Sequence, residues 1–143
     1  MKIKTYQVQE KGLYRFLGSL EVQIMEIMWT VDKVSIKDVQ EILSKVTPYS
    51  FTTIMTVMNR LYDKGLLEKE TLGKGRTKST LFQALSTKDD FLTEHTRDVT
   101  RGLMDEFEDY VVTHFIDAMD EVDPSLIQKL EQKLESIKKR TDG

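Results

Sequence analysis

The helical period of the apolar residues breaks off over one stretch of this chain and resumes after it, and that break limits what it can fold into. Before Gly65, apolar side chains recur every three or four residues, the spacing of a helix face; after it, from Leu66 to Leu85, that spacing is lost. Three helices are predicted before the break. The first starts at Gly18 or Ser19 and ends near Thr30. Leu20, Ile24, Ile27 and Met28 mark its apolar side, with Val22, Met25 and Trp29 beside them. Gly18 as N-cap puts Glu21 at the third helical position, where its charge suits the helix dipole. The second is capped by Ser35, with Asp38 three residues on and Val39, Ile42 and Leu43 as its face. It must stop before Pro48, which pushes Thr47 out of the α region. The third is capped by Ser50, carries Ile54, Val57, Met58 and Leu61, and ends at Gly65.

Within the break, Leu66 to Leu72 reads as a strand. Gly73-Lys74-Gly75-Arg76 reads as a turn, and Thr77 to Leu85 as a second strand, which makes a β-hairpin with a basic tip. From Ser86 no strand or turn signal occurs until Pro124. Phe91, Val99, Leu103, Phe107, Tyr110, Val111, Phe115 and Ile116 fit one long helix or two. Asp123-Pro124 then starts a last helix with the stripe Leu126, Ile127, Leu130, Leu134 and Ile137, and Lys138, Lys139 and Arg140 suit its C-terminal dipole. Met1 to Phe16 show no clear period and are expected to be a tail or a short strand.

The inventory excludes whole classes of function. The absence of cysteine removes disulfides, thiolate metal sites, iron–sulfur clusters and a cysteine nucleophile. His95 and His114 lie far apart with no clustered ligand between them, and Met25, Met28, Met55, Met58 and Met104 fall mostly on apolar helix faces, where core packing explains them. The run Asp105, Glu106, Glu108 and Asp109 is expected to be a solvated face or a helix break. No enzyme, metal or cofactor is predicted. No apolar run approaches the roughly 18–20 residues of a membrane span, and no signal-peptide pattern opens the chain, so a cytoplasmic protein without membrane insertion is expected. The net charge of −3 is unevenly spread. Residues 1–85 carry 13 basic and 9 acidic side chains, whereas residues 86–143 carry 8 and 15. The basic front half suits a polyanion; the acidic back half does not.

Three helices followed by a basic hairpin is the order of a winged helix-turn-helix. The expected class is therefore mainly α with a small β-hairpin wing: an N-terminal extension over 1–16, a winged-helix DNA-binding domain over 17–85 and a helical dimerisation domain over 86–143. The third helix of such a domain enters the major groove, and short donors and acceptors near its N-terminus reach base edges. Ser50, Thr52, Thr53, Thr56, Asn59 and Arg60 are the candidates there, and Lys74, Arg76 and Lys78 at the hairpin tip are candidates for flanking phosphates. A polar helix face is most often simply solvated, but threonine is a poor helix former, and a face chosen for stability alone favours Glu, Lys or Ala. The alternative is a winged-helix adaptor that binds protein and not DNA; a face of Thr, Asn and Arg favours DNA. The back half is too small to bury both of its apolar stripes within itself. Val99, Leu103, Phe107, Val111 and Phe115, with Leu126, Leu130 and Leu134, are therefore candidate homodimer contacts, and a symmetric dimer predicts an inverted-repeat operator.

The stretch Tyr49-Ser50-Phe51-Thr52-Thr53-Ile54-Met55-Thr56-Val57-Met58-Asn59-Arg60-Leu61-Tyr62-Asp63-Lys64-Gly65-Leu66 resembles the recognition helix of the penicillinase-repressor (BlaI/MecI/CopY) family. Leu17 to Val22 with Ile27-Met28-Trp29, Val111 to Phe115, and Asp123-Pro124-Ser125 are similar to its other regions, so the resemblance runs over roughly residues 17–140. It implies a bacterial transcriptional repressor that occupies double-stranded operator DNA as a homodimer and controls β-lactamase or cell-wall genes. It also implies relief by a membrane sensor-protease pathway that cleaves the C-terminal domain. His114-Phe115 stands where the family's best-known members have Asn-Phe, and is the candidate cleavage pair. The copper-responsive branch carries a cysteine hook that this chain lacks. Residues 1–16 extend beyond the usual family start, either as a tail or, through Lys2 and Lys4, as a minor-groove arm.

Overall fold

The computed structural model describes residues 12–142. The described elements are α1 (Ser19–Met28), α2 (Ile36–Leu43), α3 (Phe51–Asp63), β1 (Leu67–Leu72), β2 (Ser79–Ala84), α4 (Lys88–Ala118) and α5 (Pro124–Asp142), with 3-10 turns at Gly12–Arg15, Gly75–Thr77 and Met119–Glu121. The fold is a winged helix-turn-helix followed by long helices.

Local chemistry explains the element starts. Glu21 returns its carboxylate to the Gly18 N–H at 2.9 Å. Ser35 and Asp38 form a reciprocal capping box, in which Ser35 N donates to Asp38 Oδ2 at 2.9 Å and Asp38 N to Ser35 Oγ at 3.1 Å. The Ser35 backbone N–H and then the Ser35 hydroxyl, acting on the carboxylate, hold the Asp38 carboxyl below its ordinary pKa. Ser50 Oγ accepts from Thr53 N at 3.1 Å. Asp123 accepts from Ser125 N at 2.8 Å; the Ser125 hydroxyl first, and this backbone bond second, hold its carboxyl low as well. At the end of α3, Gly65 takes a positive φ of 80°. Leu66 N bonds Leu61 O and Gly65 N bonds Tyr62 O, closing the helix with a Schellman motif.

β1 and β2 pair antiparallel from Leu67↔Ala84 to Leu72↔Ser79. The second strand starts at Ser79 and not at Thr77, because Gly75–Thr77 coils into a 3-10 turn. A third backbone segment joins the hairpin, with Phe82 N donating to Val34 O at 2.7 Å and Val34 N to Phe82 O at 3.0 Å. This single-residue bridge ties the α1–α2 connection to β2.

The chain divides into two compact units, one ending at Thr96 and the other beginning at Arg97. The core of the first holds Leu17, Val22, Ile24, Met25 and Met28 with Val39, Leu43, Ile54, Met58 and Leu61, and the hairpin contributes Leu67 and Phe82. Leu20 and Ile27 only flank it, and Ile42, expected on the apolar face of α2, is 38% exposed. Within residues expected to form a tail or strand, Gly12–Arg15 is instead a 3-10 turn whose Leu13 packs on the core together with Phe16; Met1 to Lys11, including Lys2 and Lys4, lie outside the described residues. The start of α4 is rooted in the same unit. Phe91 and His95 are buried, with ring centroids 4.2 Å apart, and Phe16 and Trp29 complete an aromatic cluster around them.

In the second unit, α4 is two helical segments meeting at Phe107, whose φ of −135° and ψ of 37° are not helical. From Thr96 to Thr141 no residue is buried.

Candidate nucleic-acid interface

α3 separates its residues by face. Ile54, Val57, Met58 and Leu61 are buried, whereas Thr52, Thr53, Thr56 and Arg60 are exposed. The inward stripe anchors the helix against α1, α2 and β1, so the outward face is held rigidly while remaining open to a partner. The hydroxyls on that face are already partly engaged. Ser50 Oγ lies 2.8 Å from Thr53 Oγ1 as well as accepting from Thr53 N. Thr56 Oγ1 donates to Thr52 O at 2.9 Å, a back-bond that occupies its donor and leaves its oxygen able to accept.

Asn59 is placed differently from its neighbours. It is half-buried, and its Oδ1 accepts from Lys69 Nζ of β1 at 3.4 Å. The same ammonium sits 4.3 Å from the centroid of the Tyr62 ring. Lys69 thus links the recognition helix to the first strand of the hairpin. The sequence hides this role, because Lys69 lies between Glu68 and Glu70 and looks like one more solvated strand residue.

At the hairpin tip, Lys74, Arg76 and Lys78 are all exposed. Gly73 takes a φ of 80°, and a Cβ there would lie 2.6 Å from Thr77 O, so the loop requires glycine. Thr77 Oγ1 donates to Lys74 O at 2.8 Å and braces the turn. Lower down the stem, Lys33 Nζ meets Glu70 at 2.7 Å. The Glu70 bond and charge raise the Lys33 pKa. The stem is therefore pinned to the α1–α2 connection while its basic tip projects into solvent.

A second charge pair fixes the base of α3. Lys64, its C-cap, reaches Glu21 Oε2 at 2.7 Å, and the Glu21 side chain is only 8% exposed. One carboxylate therefore closes the start of α1 and the end of α3 together.

The two histidines differ in environment: His95 is buried among aromatic rings and His114 is exposed. Among the described residues no three His, Cys, Asp or Glu side chains gather as a metal site. His114 and Phe115 are both exposed on the second segment of α4. No helix among the described residues is long and apolar enough to cross a membrane.

The profile of the penicillinase repressor family matches residues 17–136, which takes in the winged helix, all of α4 and most of α5. The chain belongs to the penicillinase repressor family. That makes it a member of a family of transcriptional repressors, not of enzymes. Among solved structures it is similar to the solution structure of the DNA binding domain of the repressor BlaI. That match has 26% identity and a TM-score of 0.42, and covers 52% of this chain and 85% of that one. It is also similar to the crystal structure of a PadR family transcriptional regulator from Eggerthella lenta DSM 2243. There the identity is 15% and the TM-score 0.40, with 65% of this chain and 87% of that one covered. No curated protein matches the chain.

Proposed function

We propose that this penicillinase repressor family member binds an inverted-repeat operator as a homodimer and represses by occluding the promoter. The observation that carries the reading is the exposed face of α3, with Thr52, Thr53, Thr56 and Arg60 opposite a fully buried anchor stripe. A rigid helix with short polar side chains and one guanidinium suits the major groove. Ser50 acts as the helix cap beside the groove, and Asn59 acts through Lys69. Lys74, Arg76 and Lys78 extend the contact to flanking phosphates, contributing affinity and register.

Dimerisation is supported by what the second unit leaves uncovered. Leu103, Phe107, Phe115, Leu126 and Leu134 are between 45% and 50% exposed, and Val99, Val111 and Leu130 are half-buried. Apolar surface on this scale marks an association site, and a second copy supplies a matching surface by symmetry. In this reading the domains are a winged helix over 17–85 and a dimerisation region over 86–143, whose first helix is anchored in the winged-helix core through Phe91 and His95. The protein is a soluble cytoplasmic regulator of β-lactamase or cell-wall stress genes. A membrane sensor-protease pathway relieves it by cleavage at His114–Phe115. That bond lies inside α4, so a protease must unwind a turn before cutting.

The test is selection of bound sequences from random duplex DNA by the full-length protein at near-physiological salt. An enriched inverted repeat supports the reading. Binding without enrichment, or no binding, overturns it in favour of a protein-interaction adaptor.

A further inference from the structure

Phe51 opens α3 and is 46% exposed. Tyr49, two residues earlier, is partly buried against the core, so this turn of chain has packed one ring inward and left the other more exposed. Three of the exposed hydroxyls around Phe51 already hold bonds within the start of the helix. Ser50 and Thr53 bond one another, and Thr56 bonds the Thr52 carbonyl. The phenyl ring of Phe51 therefore adds an exposed apolar group to a helix start whose Ser50, Thr53 and Thr56 hydroxyls already hold partners. The major-groove edge of a base pair offers one apolar group, the C5 methyl of thymine, and Phe and Thr methyl are side chains that pack on it.

We infer that Phe51 is a specificity-determining residue that packs on a thymine methyl, so that each operator half-site carries an A·T pair at the start of the recognition helix. This deepens the operator-binding reading and rests on it. Phe51 lies outside the set of groups a search for hydrogen-bonding side chains selects, because an aromatic at a helix start resembles a core residue.

The experiment starts from the duplex enriched by random selection. Its thymines are replaced one at a time by deoxyuridine, which removes only the methyl, and affinity is read by fluorescence anisotropy. The full-length wild type is expected to lose about fourfold in affinity at one position of each half-site, the worth of one buried methyl. Phe51→Ala is expected to bind the parent duplex more weakly and to be indifferent to that replacement. Phe51→Leu, which keeps an apolar contact, is expected to retain the discrimination. Equal binding with thymine and deoxyuridine at every position overturns the inference, as does a Phe51→Ala variant that discriminates like the wild type. Either result leaves operator binding standing. If no duplex is enriched at all, the operator reading falls and this inference falls with it.

Discussion

Lys64→Met and Glu21→Gln remove the same ion pair, yet they are expected to differ in cost. Glu21 Oε1 accepts from Gly18 N at 2.9 Å, and Oε2 accepts from Lys64 Nζ at 2.7 Å. The side chains are unequally exposed, 31% for Lys64 and 8% for Glu21. Glu21→Gln keeps an acceptor for Gly18 N and leaves an ammonium that water can reach, so the loss is that of one charged hydrogen bond discounted for exposure, about 1 kcal/mol. Lys64→Met leaves a carboxylate out of water with a single backbone donor. Stranding a buried charge costs about 3–5 kcal/mol, and the remaining donor puts this case at the low end, about 3 kcal/mol. Urea denaturation of the full-length variants, followed by far-ultraviolet circular dichroism at one fixed protein concentration, measures both. The fixed concentration matters because association adds to apparent stability. The expected shift in midpoint is larger for Lys64→Met, with unchanged slopes. Equal losses, or a larger loss for Glu21→Gln, would refute the argument that burial of the carboxylate sets the cost.

Thr53→Ala and Thr56→Ala are expected to weaken binding to the selected duplex by about fivefold or more, about 1–3 kcal/mol for each base no longer read, while leaving random-duplex binding nearly unchanged; equal losses on both duplexes would make the threonines fold-supporting only. Lys74→Ala and Arg76→Ala should weaken both duplexes alike and reduce the slope of log affinity against log salt by about 0.9 for each phosphate no longer neutralised. An unchanged slope in that titration removes the hairpin tip from the interface. The folded Asp38 carboxyl titrates below its unfolded value, so the α2 cap contributes its stability above about pH 3.9 and loses it as pH falls through the folded value. Acid titration followed by circular dichroism should therefore show a shallower low-pH limb for Asp38→Asn, and identical limbs count against the capping box. Leu130→Glu combined with Leu134→Glu should convert a dimer to monomers in sedimentation equilibrium without melting the winged helix, whereas a persistent dimer would place the interface elsewhere.

Short-range signals in this chain are legible in its residues alone. Ser35 with Asp38, Ser50 with Thr53, Gly65 and Asp123-Pro124 act over four residues or fewer, so neighbouring side chains carry the whole instruction to start or stop a helix. The anchor stripe of α3 is equally plain, because Ile54, Val57, Met58 and Leu61 repeat at helix period and all four are buried. The exposed threonines opposite it follow from the same period. Tertiary structure decides the rest, since the interactions join residues whose separation carries no pattern. Val34 is too brief a strand to show a period, yet Phe82 pairs with it. Glu21 has the charge to suit its own helix start, but only the packing of α1 against α3 brings Lys64, 43 residues away, to its second oxygen. His95 reads as a polar residue on a long helix, and only the fold encloses it between the aromatic rings of Phe16 and Phe91. Lys69 has the spacing of a solvated strand residue, and only α3 places Tyr62 and Asn59 beneath it. Local sequence sets dihedral preference and which face is apolar; which faces meet is a property of the packed chain, because burial rewards contacts regardless of their distance in sequence.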